Sequence, residues 1–440
     1  MNKEMKNLAE WSIKTAKAAG AEECRVNIDS ERFVQISYHQ KKPESIREAS
    51  KKELSLQIFA NKRYAGQRTS DLRKDALKTF ITNAVVTTKL LAEDPFRTLP
   101  DPKYYKGRAN INLEIFDKEY EKLTPEGRHE IVKTIENSVL QRGGKKIITV
   151  TATEYDNRYE SVVMTSNGFF GYNEATIYFA GARVTAQGVG DRRPNGYNFV
   201  ASVSQEGLPL PENIGQVAAE RTLDLIGGKK IKTETLPIII ENRNVRRVLG
   251  GLIAGMSGQR IQQRQSFLIG KKNTKIASDK LTIIDDPLIQ GGLGSRLYDR
   301  DGFAAKKRSI IDKGVLKDFY VDWYYSRKLG WEPTTGNPSN LVIPPGKRSV
   351  KEIMKDLGRG ILVTGFIGGN SNSTTGDASI GIIGKLFEKG IPVQTVVEMN
   401  IADNHLKFWQ RLSEVANDPW IYSSWRTPSL VFTDVVVSGV

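Results

Sequence analysis

The chain has 440 residues, with 65 Lys and Arg against 50 Asp and Glu (net charge +15), one Cys and three His. That length holds about two or three domains, each able to bury its own core, and 39% hydrophobic with 26% charged residues is an ordinary globular composition. A lone Cys24 excludes a disulfide framework or a Cys-rich zinc module, and His39, His129 and His405 leave little material for a His-based metal centre or a Ser–His triad.

The opening MNKEMKNLAEWSIKTAKAAG is charged throughout and has no apolar core, so neither a secretory signal nor a membrane anchor is expected there. No stretch approaches the roughly 18 consecutive apolar residues of a membrane span, and a soluble cytoplasmic protein is expected. Met5, Leu8, Ile13, Ala16 and Ala19 fall near helical spacing, with Gly20 as a stop. Cys24, Val26 and Ile28 alternate as a half-buried strand, as do Leu54, Leu56 and Ile58, and Asn61-Lys62 turns the chain into Arg63–Thr69. Ser70-Asp71 offers an N-cap for a helix to about Leu91, closed by Asp94-Pro95.

Residues 95–112 read as a linker, and a helix from about Pro125 to Arg142 stops at Gly143-Gly144. Four strands follow, Ile147–Tyr155, Glu160–Ser166, Phe169–Phe179 and Arg183–Gly188, with Asn167-Gly168 as a two-residue hairpin turn. Asn213–Ile226 reads as helix, and Gly227-Gly228-Lys229-Lys230 as a boundary. Beyond it, short strands (Leu236–Glu241, Gly360–Ile367, Ile391–Asn400, Leu430–Val437) dominate, and only Val245–Arg264 and Val350–Leu357 look helical. The expected fold class is α+β. An N-terminal α+β domain spans 1–94, a central α+β region with antiparallel strands spans 95–228, and a β-rich C-terminal domain spans 229–440. The sheets of the first two are expected to be small and mostly antiparallel.

Chemistry-bearing patterns are sparse. HEIVK at 129–133 suggests a zincin, but that site needs a second His at 133, where Lys133 stands. Cys24 sits on the inward phase of a strand and reads as a structural thiol. His405 stands near a helix start without a second His close by, and His39 precedes a polar run at the surface. The GxG pairs at Gly188/Gly190 and Gly292/Gly294 are turns. The run from Asn370 to Asp377 is small and polar between two apolar strands, and fits either a plain loop or a cleft wall offering hydrogen bonds to an extended peptide. Arg243 to Lys328 holds 18 Lys/Arg against 8 Asp/Glu. Such an excess suits a polyanionic partner, a solvated face or a surface matching an acidic subunit, but it lacks the aromatic interleaving of single-strand binders.

Five segments together resemble the TldD/PmbA family, known as modulators of DNA gyrase: AAERTLDLIGGKKIKTETLPIIIENRNVRRVLGGL (218–252), SFLIGKKNTKIASDKLTIIDDP (266–287), GGLGSRLYDRDGFAAKKRSIIDKGVLKDFYVDWYYSRKLG (291–330), TTGN (334–337) and TGDASIGIIGKLFEKGIPVQ (375–394). The resemblance implies an α+β N-terminal region, a β-rich C-terminal domain and assembly into dimers. It also implies, for the TldD branch, an HExxxH helix whose two His meet through a π-type turn and, with a C-terminal Cys, hold a catalytic metal for peptide hydrolysis. In this chain those positions are Ala254, Gly255 and Gln259, and the stretch Trp420–Trp425 contains no Cys. Neither Ala254 nor Gly255 can ligate, Gln259 is a poor zinc ligand, and Gly255 leaves no general base.

The resemblance is therefore to the PmbA (TldE) branch. It implies a non-catalytic subunit without catalytic residues, metal or cofactor, which positions unfolded peptides for a TldD-type metallopeptidase partner. Asn370, Ser373, Thr374, Thr375, Gly376 and Asp377 become candidate peptide contacts, and Arg260, Arg264, Lys306, Lys307 and Arg308 a candidate partner surface. Two alternatives stand beside this reading: a self-sufficient peptidase acting as a homodimer, and a DNA- or gyrase-binding modulator. Neither a nucleic-acid partner nor a membrane is expected.

Overall fold

The computed structural model describes residues 2–439. The first half of the chain runs α1 (Lys3–Ala18), β1 (Glu23–His39), β2 (Lys42–Ala60), β3 (Arg63–Thr69), α2 (Lys74–Thr88), α3 (Pro125–Gly143), β4 (Ile147–Thr165), β5 (Phe170–Ala186), β6 (Asn195–Ser202) and α4 (Pro211–Leu223). Its strands form one antiparallel sheet in the order β3-β2-β1-β4-β5-β6. The segments on either side of the expected 94/95 division thus share a single sheet.

Period-two alternation decides which face of this sheet is covered. Along β1 the even-numbered Cys24, Val26, Ile28, Val34 and Ile36 are buried, while the odd-numbered Arg25, Asn27 and Asp29 look the other way into a cleft. Helices α1 and α2 cover one end of the apolar face, with Met5, Ala9, Leu77 and Ile81 against Val26, Leu56 and Ile58. Helices α3 and α4 cover the other end, with Val132, Ile135 and Ala218 against Ile36, Val150 and Val184. Each fully buried aliphatic side chain contributes about 1.5–3 kcal/mol. Thr124 caps α3 by accepting from the Gly127 N–H (3.1 Å), with Pro125 in the first helical turn.

The second half adds β7 (Glu234–Ile240), α5 (Val245–Ala254), α6 (Gly258–Gln262), β8 (Ile283–Asp285), β9 (Arg308–Asp312), β10 (Val315–Leu316), α7 (Trp323–Leu329) and β11 (Leu341–Val342). It ends with α8 (Val350–Leu357), β12 (Arg359–Ser371), β13 (Asp377–Glu388), β14 (Ile391–Asn404), α9 (His405–Phe408), β15 (Leu412–Val415), β16 (Trp425–Arg426) and β17 (Leu430–Ser438). Strands β14-β13-β12-β7-β17 close into a ring through Asn400↔Ser438 and Ile401↔Val437, with β15 added on β17. The closed ring is filled by Ile238, Ile240, Val363, Ile382 and Phe432 and plugged by the apolar face of α5. A small sheet, β10-β9-β8-β11-β16, lies alongside.

Several elements depart from the sequence expectation. Each expected strand pair within 147–188 is one continuous strand: in the first, Asp156, Asn157 and Arg158 are strand residues, Asp156 pairing with Arg128 and Arg158 with Glu121 and Glu174, and in the second, Ala180, Gly181 and Ala182 pair with strands on both sides. Strands β1 and β2 run on to a tight turn at Gln40-Lys41 whose positive φ angles (51° and 62°) carry no Gly or Asn signature. The expected turn at Asn61-Lys62 (φ 51° and 58°) forms as read, whereas the turn expected at Asn167-Gly168 alone is a three-residue loop that includes Ser166, with the Gly168 N–H on the Thr165 carbonyl (3.2 Å) and Gly168 at φ 102°. Segment 94–113, irregular apart from a 3-10 turn at Pro102–Tyr105, bridges the two halves: Trp323 Nε1 donates to Thr98 Oγ1 (3.0 Å), Tyr324 Oη to Asp94 (2.7 Å), and the Gly291 N–H to the Leu113 carbonyl (2.8 Å). Among the described residues no helix is long and apolar enough to cross a membrane. His129 Nδ1 is bonded by Tyr38 Oη at 3.0 Å and His39 Nδ1 lies 2.9 Å from the Val150 carbonyl, both structural contacts. Cys24 is fully buried, which pushes its thiol up to about 11.

Under α3 the sheet buries Glu154 beside the Arg128–Asp156 ion pair, and both Glu154 carboxylate oxygens lack a partner. Burial, and then the charge of Asp156, push the Glu154 carboxyl up to about 9. It is protonated in the folded chain at neutral pH and ionised in the unfolded chain above about 4.5. Its contribution is therefore fully present below that pH and is lost as pH rises towards 9. Glu154→Gln is expected to raise stability by roughly 1–3 kcal/mol at pH 8 and to change it little at pH 4, read from denaturant unfolding at both pH values.

Candidate functional site

Helix α5 is amphipathic, with Val245, Val248, Leu249, Leu252 and Ile253 buried towards the barrel. It stops at Ala254, where the N–H groups of Gly255 and Met256 bond back three residues, to Leu252 (3.2 Å) and Ile253 (2.9 Å). Ser257 is extended (ψ 127°), and α6 begins with the Gly258 N–H on the Tyr320 carbonyl at 2.7 Å. The chain thus breaks between 254 and 259 instead of carrying a π-type turn. Ala254 is half-buried, Gly255 buried and Gln259 exposed.

Gly251 and Gly255 are four apart and lie on one face of α5, leaving a notch. Into it fit two rings, Phe267 and His405, stacked with centroids 5.6 Å apart and planes 11° from parallel. A Cβ on Gly255 would lie 2.9 Å from Phe267 Cε1, and one on Gly251 would overlap the His405 imidazole. Burial pushes His405 down to about 4, so its ring is neutral at physiological pH, with Nε2 2.7 Å from Ser371 Oγ. The ground where a glutamate base would project is therefore occupied by an aromatic ring. Among the described residues no group of three or more His, Cys, Asp or Glu is placed to hold a metal. The donor set Ala254, Gly255 and Gln259 does not fit one. The Trp420–Trp425 stretch lies beside the start of α5, with Arg243 over Trp420 (4.2 Å) and Arg246 over Trp425 (5.3 Å).

The polar run is the tip of the β12–β13 hairpin, with Asn370, Ser371 and Asp377 still in strands. It is seated on the α5–α6 break. Arg260 donates to Ser373 Oγ, the Phe267 N–H to the Ser373 carbonyl (2.9 Å), and Arg247 to the Gly368 and Gly369 carbonyls (2.9 and 2.8 Å). Gly376, at φ +86°, passes against the Phe267 ring. Asn372 Oδ1 accepts from the Thr374 N–H (2.8 Å), and Asp377 accepts from Asn404 (3.0 Å), which holds its carboxyl below the usual carboxylate range. Of the six candidate peptide contacts, Asn370 and Thr374 are exposed and their side chains make no hydrogen bond among the described residues, whereas Ser373 and Asp377 serve the hairpin itself.

The five expected partner-surface cations do not form one patch. Arg260 is spent on Ser373. Arg308 is drawn inward to Asp318 (2.8 Å) and Asp285 (3.4 Å). Arg264 and Lys306 are exposed, and Lys307 is exposed beside Asp286 at 3.1 Å. A denser group of cations lies elsewhere. A cleft of about 1110 Å3 opens between the β5–β6 end of the first sheet and barrel strands β12–β14, lined by seven Lys/Arg against three Asp/Glu. Four of those cations, Arg183, Arg192, Arg193 and Lys229, form no ion pair among the described residues, and Thr364–Ile367 of the cleft wall lead along β12 into the hairpin. Sequence reading missed Phe267, Ser371 and this cleft; the only local signal was the four-residue spacing of Gly251 and Gly255.

Comparison with known proteins places this geometry. The PmbA/TldA metallopeptidase central-domain model matches residues 118–226, and the C-terminal-domain model of the same family matches 233–439. The metalloprotease PmbA of Escherichia coli O157:H7 is 25% identical over 430 residues, covering 97% of this chain and 94% of that protein. A crystal structure from Bacteroides thetaiotaomicron, described as a DNA gyrase modulator, is 36% identical, with a TM-score of 0.96 and full coverage of both chains. TldE from Thermococcus kodakarensis shares the fold at 22% identity, with a TM-score of 0.86 over 99% of this chain and 100% of that one.

The notch yields a paired expectation. Gly251→Ala forces a methyl into the His405 ring and is expected to cost about 1–3 kcal/mol. Gly250→Ala, where nothing lies within 4 Å of the new Cβ, is expected to be neutral or to stabilise by up to about 1 kcal/mol through helix propensity. Thermal unfolding of the two variants checks the contrast.

Proposed function

This chain belongs to the PmbA/TldD metallopeptidase family, and we propose that within it the chain is a non-catalytic subunit that binds and positions unfolded peptides for a TldD-type metallopeptidase partner. One observation carries the reading: at the α5–α6 break the ligand and base positions are Ala254, Gly255 and Gln259, and the Phe267 ring packs against Gly255 where a base would stand. Water activation by a metal needs ligands and usually a carboxylate base. None of these three side chains serves.

The remaining features support a binding role. The hairpin tip presents Asn370 and Thr374 to solvent on a firmly seated support, which suits hydrogen bonding to an extended backbone. The adjoining cleft, with its four unpaired cations, favours substrates carrying acidic residues and speeds their capture more than it tightens it. Arg264, Lys306 and Lys307, the exposed three of the five candidate cations, are the partner-facing residues of this proposal. The assembly is a dimer, and the partner supplies the metal and the bond cleavage.

The test is a peptidase assay on an unfolded polypeptide. The purified chain alone is expected to leave it intact. Mixed with a TldD-type subunit that carries the HExxxH motif, it is expected to co-elute as a dimer and to raise cleavage. Asn370→Ala with Thr374→Ala is expected to raise KM about three- to tenfold with kcat unchanged. Chelator-sensitive cleavage by the chain on its own would sink the proposal in favour of a self-sufficient homodimer.

A further inference from the structure

In the cleft between the first sheet and the barrel, an open strand edge meets a set of unpaired charges. Strand β6 ends the first sheet and pairs with β5 alone among the described residues. Just before it, the Gly188 N–H donates to the Arg192 carbonyl and the Ala186 N–H to the Pro194 carbonyl, both at 3.0 Å. Antiparallel partners alternate between bonded and non-bonded pairs. In this register the even-numbered residues of β6 bond β5, and the N–H and C=O groups of Asn195 and Tyr197 point away from it. Both residues are exposed and line the cleft, and among the described residues these backbone groups have no hydrogen-bond partner.

Each of the three carboxylates in the cleft is already taken by a cation of the cleft: Glu241 by Arg221 (2.7 Å), Asp224 by Lys385 (2.5 Å) and Glu398 by Lys230 (3.8 Å). Arg183, Arg192, Arg193 and Lys229 are left over, and all four are exposed. Arg183 stands opposite Tyr197 in the sheet, so the two side chains share one face. Arg192 and Arg193 lie in the β5–β6 turn, where Arg192 reaches the Gly228 carbonyl (3.0 Å) and Arg193 only the Gly190 and Arg192 carbonyls (3.3 and 3.1 Å). Lys229 is held by its backbone to Thr395 and Val397 of β14 (3.1 and 3.2 Å). This surplus suits an anion, and Val189, Tyr197 and Ile367 add exposed apolar surface to the same walls. A phosphate backbone uses neither an apolar wall nor an open strand edge. An extended polypeptide with carboxylates between apolar side chains uses both, because strand addition draws affinity from main-chain hydrogen bonds and specificity from alternate side chains.

We propose that this cleft takes an extended acidic peptide as an added strand on the open edge of β6, with its carboxylates among Arg183, Arg192, Arg193 and Lys229. This names the substrate class of the peptide-positioning reading and rests on the binding part of it. The full chain is titrated calorimetrically with capped decapeptides of alternating Glu and Val, or of alternating Lys and Val. The Glu peptide is expected to bind saturably, at least about tenfold more tightly than the Lys peptide. Its affinity is expected to fall severalfold as salt rises from about 50 to about 200 mM. Successive N–H groups of a strand point to opposite edges, so N-methylation of every Val or of every Glu blocks opposite edges of the peptide. At least one methylated form is expected to bind about tenfold or more weakly than the parent peptide. Arg193→Gln combined with Lys229→Gln is expected to lose about tenfold in affinity while unfolding at the parent temperature. Equal binding of the Glu and Lys peptides, undiminished binding of both methylated forms, or unchanged affinity in the folded double variant would each overturn the inference. So would tighter binding of a short DNA duplex at the same salt. If the chain still raises cleavage by a TldD-type partner under any of these outcomes, the positioning role stands and only the assignment of the cleft falls.

Discussion

The contact on which the second half of the molecule depends is the insertion of two stacked rings, Phe267 and His405, into the glycine notch of α5. The notch exists because Gly251 and Gly255 are one helical turn apart, and side chains at that spacing would share the space. Phe267 arrives from the segment after α6, and His405 from the end of β14 as the ring of strands closes. The same two rings then define the floor for the β12–β13 hairpin: Gly376 passes over Phe267, and Ser371 meets His405. A carboxylate at 255 would have to displace the Phe267 ring. The absence of a side chain at 251 and 255 and the packing of this core are thus one physical arrangement, since the notch is filled by the two rings.

The first half contributes a platform. Its sheet is long because two strand pairs, β1–β2 and β4–β5, run the full width of four helices. One face is sealed by those helices and the other stays polar, with Arg25, Asn27, Asp29 and Tyr159 in a row of outward positions. Segment 94–113 crosses from this sheet to the α7 region and ties the halves together through Trp323, Tyr324 and Gly291. Charge follows the same division of labour: cations without ion pairs among the described residues line the cleft between sheet and barrel, while in the basic stretch from Arg243 to Lys328 ion pairs hold Arg243, Lys272, Lys307 and Arg308.

Local signals made part of this legible in advance. Helices α1, α3, α4 and α8, the Asn61-Lys62 turn, the place of the Asn167-Gly168 turn and the β-rich second half follow from periodicity, caps and turn chemistry. The full length of β1, β2 and β4 was not legible, because their polar stretches are held by cross-strand and helix partners, as Asp156 is by Arg128, and β5 runs on through Ala180-Gly181-Ala182, which pair with strands on both sides. Strands β6 and β13 and the short helix α7 were also missed; each is held by its neighbours more than by its own propensity. At the site, the identities at 254, 255 and 259 could be read directly. The ring stack could not, since Phe267 and His405 meet only through barrel closure. Likewise Arg260 and Arg308 read as free surface charge until their partners Ser373, Asp285 and Asp318 were in place.

The central claim is that the α5–α6 break of this family member cannot hold a metal. Equilibrium dialysis of the purified chain against zinc, with metal counted per chain, tests it most directly. The account predicts no stoichiometric zinc retained, with the parent chain and a Gln259→Ala variant indistinguishable. One zinc held per chain, and lost in Gln259→Ala, would contradict it.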